Sequence, residues 1–207
     1  MYTNCKYLYP KGHHGVNINA NYKMLRFSLV LLIMTMICLT QCMFPKRVPD
    51  FPVFIQKKPI QCGPACVKMI SEYHGQQADI AYFEALTNMR EEGTSLLDLS
   101  DALDSLGFRT LAAKLPLERL VAEAPVPFIV HWENNHFMVV YHIRENQVWA
   151  SDPRIGLRNM DIETFREGWL QSWIDEEKLS DGVVLLFEVG PDFNKRFSRS
   201  YHQFKRK

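Results

Sequence analysis

The sequence predicts an α+β domain in which N-terminal helices pack on an antiparallel sheet. Helical periodicity dominates the first half of the domain, where apolar residues recur three and four positions apart in three successive segments. The second half contains short runs of β-branched and aromatic residues that are separated by turns. Helices followed by strands in this order are typical of an α+β layout rather than of alternating α/β units.

The first 50 residues are expected to lie outside this domain. Residues 27–44 form one apolar run, FSLVLLIMTMICLTQCMF, which follows Lys23 and Arg26. A basic start before such a run is typical of a signal peptide or a short membrane anchor. We therefore expect a membrane-associated protein. Basic residues flank both ends of the run, so the side of the membrane stays open.

Composition and spacing divide the chain into five segments. The expected segments are 1–23, disordered or a mis-assigned start; 24–44, a signal peptide or membrane anchor; 45–50, a linker; 51–190, the folded domain; and 191–207, a basic, solvated tail.

Three helices are expected in the first half of the domain. The first begins at Cys62 and ends before Gly75, which is a suitable C-terminal cap. The second follows Asp79, a residue type favoured at the N-cap. The third follows Gly93-Thr94-Ser95 and is closed by Gly107; its apolar stripe consists of Leu96, Leu99, Leu103 and Leu106.

Strands dominate the second half. Glu145-Asn146 suits a tight hairpin turn between two of them. Two short helices are expected, at Leu117–Ala122 and Asp161–Trp169. The expected strands are Phe108–Ala112, Val126–Trp132, His136–Ile143, Gln147–Ser151 and Val183–Val189.

Cys62 is the candidate nucleophile. Pro59 and Gly63-Pro64 frame it at the point where an extended segment becomes a helix. Unpaired N–H groups and the positive end of the helix dipole favour a thiolate there, and the thiolate is the nucleophilic form of cysteine. Cys66, one helical turn later, is expected to pack in the core.

Three further residues could complete a thiol hydrolase site. His136 opens a strand and is the candidate base, and Asp152 ends the next strand, where a hairpin would bring it near His136. Gln56 lies six residues before Cys62 and could donate a hydrogen bond to an oxyanion. These are the roles that nucleophilic acyl transfer requires.

Other histidines and other chemistries are less suitable. His142 lies on the same predicted strand face as His136 but about 20 Å along it, and His131 is not followed by an acid. No cofactor is expected. His13-His14 and the Cys62–Cys66 pair lack further ligands at metal-binding spacing. A net charge of +1 gives no argument for a nucleic-acid partner.

Residues 51–188 resemble the bacteriocin-processing cysteine peptidases, also called double-glycine leader peptidases. The resemblance rests on several motifs in order: Gln56 through QCGPAC (61–66), GTSLLDLSDALDSLGF (93–108), PFIV (127–130), NHFMVVY (135–141), SDPRIG (151–156) and DIETFREGW (161–169). It departs at Gln61, where that family often has an acidic residue.

The resemblance implies a papain-like fold and cleavage after a Gly-Gly-type site that ends a leader peptide. It gives Cys62 as nucleophile, His136 as base, Asp152 as orienting acid and Gln56 as oxyanion donor. The implied partners are a precursor peptide and an ABC exporter, and the implied location of the membrane-associated chain is the bacterial cell envelope. Two other functions stay open: a non-catalytic domain that docks leader peptides, and a secreted thiol amidase that acts on another peptide.

Overall fold

The computed structural model describes residues 26–36, 47–133, 135–170 and 180–206. The chain divides into two compact units, Met1–Arg47 and Val48–Lys207. The predictions for residues 1–23, for the ends of segment 24–44 and for the start of the linker lie outside the described residues.

In the first unit, residues 26–36 form helix α1. Eleven residues span about 16 Å at 1.5 Å per residue, about half the thickness of a bilayer core. Among the described residues, no helix has the length and hydropathy needed to cross a membrane. The expected membrane-associated localisation is therefore contradicted.

The second unit begins with an extended segment that leads into helix α2, Cys62–Tyr73. A 3₁₀ turn, Pro59–Gln61, directly precedes the helix. Pro64 is tolerated because it lies in the first helical turn, where backbone N–H groups have no intrahelical acceptor. At the other end, Gly75 takes a positive φ of 82° and its N–H bonds to the Glu72 carbonyl, so the predicted C-terminal cap is confirmed.

Helices α3, Ile80–Leu86, and α4, Leu96–Leu106, also lie where the sequence predicts them. Ser95 caps α4 and forms a reciprocal capping box with Asp98, and Gly107 closes the helix at a φ of 100°. Asp79 occupies the N-cap of α3 without a side-chain cap bond; its carboxylate instead pairs with Lys205 at 3.2 Å.

In the described part of the chain, six antiparallel strands form one sheet in the order β1-β6-β2-β3-β4-β5. Two helices are inserted between strands: α5, Leu117–Glu123, and α6, Ile162–Trp169. The strands are β1, Phe108–Leu115; β2, Phe128–Trp132; β3, His136–Arg144; β4, Gln147–Asp152; β5, Gly156–Asp161; and β6, Gly182–Val189.

Helices cover both faces of this sheet. On one face, apolar residues of α2, α3 and α4 pack against Ile129, Val139 and Leu185. On the other, residues of α5 and α6 pack against Val130 and Met138. Alternate residues of each strand enter different cores because strand side chains alternate between faces. The predicted packing of N-terminal helices on an antiparallel sheet is confirmed.

Two elements differ from the sequence prediction. Strand β5 was not expected, because Arg158, Asn159 and Asp161 give it little β-branched or aromatic content. The segment from Phe193 is not a solvated tail; it forms helix α7, Phe193–Lys205. Most residues of α7 are polar, but an aromatic stripe packs the helix into the core that α2, α3 and α4 form with the sheet. The stripe consists of Phe193, Phe197, Tyr201 and Phe204.

Candidate active site

Cys62 is the first residue of α2, and its side chain is only 7% exposed. The helix packs closely against the loop before α4, since a Cβ at Gly63 would lie 2.9 Å from Cβ of Thr94. Real Cβ atoms essentially never approach that closely. Glycine at position 63 therefore lets the Cys62 end of the helix meet that loop.

His136 and Asp152 meet at one end of the β3–β4 hairpin. Val139 pairs with Ser151, so the residues before Val139 and after Ser151 lie at the same end of the ladder. His136 Nε2 and Asp152 Oδ1 are 2.7 Å apart, and the two side chains are 0% and 3% exposed. The sequence prediction that a hairpin would bring these residues together is confirmed as geometry.

The thiol, imidazole and carboxylate shift one another's pKa values. Burial raises the pKa of Cys62, but the nearby His136 imidazole and the backbone N–H groups of Phe137 and Gly63 outweigh burial, and the pKa lies below its ordinary value. Burial lowers the pKa of His136, but Asp152 and Cys62 raise it above the ordinary histidine value. Both shifts favour a thiolate–imidazolium pair.

The pKa of Asp152 is lowered despite burial, which raises it. The lowering comes from the hydrogen bond with His136, the backbone N–H of Arg154, the charge of His136 and the side chain of Arg158. The carboxylate therefore stays ionised beside the imidazole and stabilises its protonated form.

The second nitrogen of His136, Nδ1, is buried and has no protein hydrogen-bond acceptor or donor at ordinary distance in the described part of the chain. Because Nε2 faces Asp152, Nδ1 is the nitrogen that remains for proton exchange with Cys62. Catalytic hydrogen bonds are often long before substrate binds.

Gln56 lies beside this hairpin but does not present a free donor. Its backbone N–H bonds to the Pro153 carbonyl at 2.8 Å. Its side-chain Nε2 donates to the carbonyls of Lys58 and Pro59 at 3.0 and 3.1 Å, while Oε1 is buried without a partner among the described residues. Its expected role as oxyanion donor stays a prediction.

Gln61, where the resembling family often has an acid, is 2% exposed. Its Oε1 accepts the Lys57 N–H at 2.7 Å, and its Nε2 donates to Glu84 of α3. Gln61 thus fixes the chain just before Cys62, because both the oxygen and the nitrogen of its buried side-chain amide are hydrogen-bonded.

The competing histidines both pack against aromatic rings. His131 is on β2 with its ring 5.0 Å from that of Phe137. His142 does not share the strand face of His136, because a β-bulge shifts the register of β3 between Val140 and His142. Its ring packs 5.1 Å from Trp149.

A cleft of about 500 Å³ opens beside Cys62. Cys66, in contrast, is fully buried in the core, where burial raises the pKa of its thiol. No three His, Cys, Asp or Glu side chains are grouped for a metal ion within the described residues. The cleft is lined by Pro59, Ile60, Cys62, Glu92, Gly93, Thr94, Ser95, Leu96, His131, Asn135, Phe137 and Val183.

Two arginines at the site were missed by sequence reasoning. Arg154 donates its backbone N–H to Asp152 Oδ1 at 2.8 Å and its guanidinium to Asn135 at 2.9 Å. Arg158 donates to Asp152 Oδ2 at 3.2 Å. Recognition of β5 as a strand paired with β4 would have placed Arg158 beside the acid.

Comparison with known proteins identifies the family. Residues 50–175, more than half of the chain, match the Peptidase C39 family. The chain belongs to the Peptidase C39 family. Cys62, His136 and Asp152 lie within the matched region.

This C39 chain is similar to two secretion and processing proteins. It is 31% identical over 112 residues to the colicin V secretion/processing ATP-binding protein CvaB of Escherichia coli, which covers 54% of this chain and 16% of that protein. It is 28% identical over 122 residues to the lactococcin-G-processing and transport ATP-binding protein LagD of Lactococcus lactis subsp. lactis, with 56% and 17% covered. The aligned part is less than a fifth of either relative.

Two crystal structures share the fold of this C39 chain. The peptidase domain of Streptococcus ComA, a bifunctional ABC transporter, aligns with a TM-score of 0.58 and 26% identity over 68% of this chain and 99% of that domain. A double glycine motif protease from an AMS/PCAT transporter, solved with a leader peptide, aligns with a TM-score of 0.59 and 22% identity over 67% and 91%. The predicted α+β, papain-like architecture is confirmed.

Proposed function

We propose that this chain is a cysteine endopeptidase that cleaves leader peptides after a Gly-Gly-type site, coupled to export of a bacteriocin or a similar secreted peptide. Cys62 is the nucleophile, His136 the base, Asp152 the acid that orients it and Gln56 the oxyanion donor. The peptidase unit begins near residue 51 and includes helix α7. Its partners are a precursor peptide and an ABC exporter.

One observation carries the proposal. A thiol borders a cleft, and a nearby buried imidazole lowers its pKa; one nitrogen of that imidazole lies 2.7 Å from a buried carboxylate. A domain that only docks peptides has no need for three side chains in this order. The names of the relatives CvaB and LagD, which combine processing with secretion or transport, support the choice of substrate and partner.

In the first half of the reaction, the Cys62 thiolate attacks the carbonyl carbon of the second glycine. The carbonyl electrons move to oxygen, and hydrogen-bond donors stabilise this oxyanion. When the carbonyl re-forms, the C–N bond breaks, and the His136 imidazolium gives its proton to the departing amine. The leader is then held as a thioester on Cys62.

In the second half, neutral His136 removes a proton from water, and the resulting hydroxide adds to the thioester carbonyl. Collapse of that intermediate breaks the C–S bond and releases the leader with a free carboxylate. The His136–Cys62 pair then returns to its starting protonation. Asp152 keeps the imidazole oriented and stabilises its charged form in both halves.

Gln56 supplies an oxyanion donor once one of its two Nε2 hydrogen bonds is exchanged for the substrate. Those bonds go to the carbonyls of Lys58 and Pro59, and Pro59 itself lines the cleft. The positive end of the α2 dipole also favours the oxyanion. No side chain caps that end of the helix, so its N–H groups are not taken up by a capping side chain.

The test is cleavage of a synthetic precursor peptide by the purified 207-residue chain. We expect mass spectrometry to show one cut after Gly-Gly, with cleavage abolished by Cys62→Ala. Cys66→Ala is the matched control, since it removes the other thiol of α2 from the core and should leave the cut in place.

Binding of the peptide without any cleavage by the wild-type chain would refute the proposal in favour of a docking domain. Cleavage that persists in Cys62→Ala would refute the assignment of the nucleophile.

A further inference from the structure

Arg158 occupies a sheet position from which a long side chain can reach Asp152. In the β4–β5 ladder, Asp152 pairs with Gly156, and Ala150 pairs with Arg158. Directly paired residues share a sheet face, so Arg158 and Asp152 lie on the same face as diagonal neighbours. Such neighbours are about 7–8 Å apart, which an arginine side chain spans.

The two carboxylate oxygens of Asp152 have different partners. Oδ1 faces His136 Nε2 at 2.7 Å and accepts the Arg154 N–H at 2.8 Å. Oδ2 accepts from Arg158 Nη1 at 3.2 Å. Arg158 therefore holds the oxygen that does not face the histidine, which fixes the rotation of the carboxylate about its Cβ–Cγ bond.

Trp132 holds the other side of the Arg158 side chain. The guanidinium carbon lies 5.3 Å from the Trp132 ring centroid, within the range of a cation–π contact. Trp132 is 4% exposed and pairs directly with His136 in the β2–β3 ladder. The arginine thus connects the acid to the strand beside the histidine.

Arg158 lies outside the substrate cleft. Among the residues that the structure describes, those lining the cleft do not include Arg158. The Arg158 side chain is 26% exposed, against 3% for Asp152. Any effect of Arg158 on peptide cleavage must therefore pass through Asp152 rather than through contact with the peptide in this cleft.

We propose that Arg158 is a positioning residue that locks the Asp152 carboxylate toward His136 through its bond to Oδ2 and its contact with Trp132. This role rests on the proposed peptidase function. It requires a planar cation that reaches Oδ2 and Trp132 together, which arginine supplies and lysine does not.

The first experiment measures kcat and KM for the precursor peptide with the full chain and with Arg158→Gln and Arg158→Lys. We expect kcat to fall about threefold to tenfold in both variants, with KM unchanged. This is less than the full contribution of a hydrogen bond to a charged group, because Oδ1 of Asp152 keeps its bonds to His136 and to the Arg154 N–H. The matched control is Arg109→Gln, which removes a strand arginine that is paired with an acid at the same distance of 3.2 Å but lies on the exposed surface.

The second experiment separates positioning from general stabilisation. Because Arg158 acts through the carboxylate, Arg158→Gln should cause no further loss of kcat in an Asp152→Asn background. Equal losses in both backgrounds, or an increase in KM that accounts for the whole effect, would overturn the proposal.

The third experiment does not depend on peptide cleavage. The rate at which iodoacetamide alkylates Cys62, followed by peptide mass spectrometry, reports the thiolate fraction against pH. The charged and titratable groups that surround Asp152 and Cys62 are His136 on β3, Arg158 on β5 and Cys66 on α2. Loss of Arg158 raises the pKa of Asp152 and frees its carboxylate to rotate, so the His136 imidazolium stabilises the Cys62 thiolate less. The acid limb of the alkylation-rate profile should therefore move to higher pH in Arg158→Gln and stay in place in Arg109→Gln.

An unchanged acid limb in Arg158→Gln would contradict the positioning role. Failure of the wild-type chain to cleave the peptide would refute the peptidase function. If the alkylation profile of Arg158→Gln nevertheless differed from that of the wild type as expected, the action of Arg158 on Asp152 would still stand.

Discussion

Replacement of Asp152 by asparagine removes the charge of the buried acid and keeps its size and its hydrogen bond to His136. The His136 and Asp152 side chains are 0% and 3% exposed, so water screens their interaction little. A hydrogen bond to a charged group contributes about 1.5–3 kcal/mol, against about 1 kcal/mol for a neutral one. The difference of about 0.5–2 kcal/mol predicts a fall of about 2- to 30-fold in kcat/KM.

The same replacement should narrow the active pH range from the alkaline side. Burial lowers the pKa of His136, and Asp152 is the first of the groups that raise it above its ordinary value. Without the carboxylate charge the pKa falls, so the imidazolium that protonates the leaving amine is lost at lower pH. The alkaline limb of the kcat/KM profile should therefore shift down.

The assay is the initial rate of precursor cleavage across the pH range for the wild-type chain and Asp152→Asn. Asp101→Asn is the matched control, because Asp101 lies on the exposed face of α4. Wild-type kcat/KM and an unmoved alkaline limb in Asp152→Asn would refute the coupling between the acid and the histidine.

Three further predictions concern the pair and its support. For the wild-type chain, kcat/KM should already rise at pH values below the ordinary thiol pKa, because the pKa of Cys62 is lowered. It should fall only above the ordinary histidine pKa, because the pKa of His136 is raised. A profile that rises only through the ordinary thiol range would contradict this prediction. Phe197→Ala should reduce the free energy of unfolding by about 3 kcal/mol in urea denaturation, because the ring is 3% exposed, whereas Arg199→Ala, a control on the same helix, should change it by less than about 0.5 kcal/mol; equal effects would mean that α7 is not part of the core. Gly63→Ala should cost about 1–3 kcal/mol in the same measurement, because its Cβ would overlap the loop before α4, and a stabilised variant would show that the loop moves aside.

Much of the fold could be read from local pattern. The bounds of α2, α3 and α4 follow from apolar spacing and from end signals such as Gly75, Ser95 and Gly107, which act within one or two turns of chain. Most strands were found from β-branched and aromatic content. Strand β5 and helix α7 were not, because tertiary partners stabilise them: β4 supplies the hydrogen bonds of β5, and the core accepts the aromatic stripe of α7.

Some features of the candidate site could likewise be predicted from the sequence, and others could not. Sequence alone selected Cys62 from its helix-start position, and His136 and Asp152 from the ends of successive strands, because a hairpin brings such ends together. It placed His142 on the wrong face, since a β-bulge reverses strand alternation and has no sequence signal here. It also ascribed to residues 27–44 a membrane role that the described helix does not support.

The order of helices and strands, the residue types of the site and the family resemblance could all be predicted from the sequence, because they depend on spacing along the chain. The balance of charges at the site could not, because it depends on contacts between elements that are distant in sequence. Burial alone would raise the pKa of Cys62 and lower that of His136, and contacts between α2, β3 and β4 reverse both shifts. The bond from Arg158 to Asp152 likewise depends on the register of β5, which local pattern does not fix.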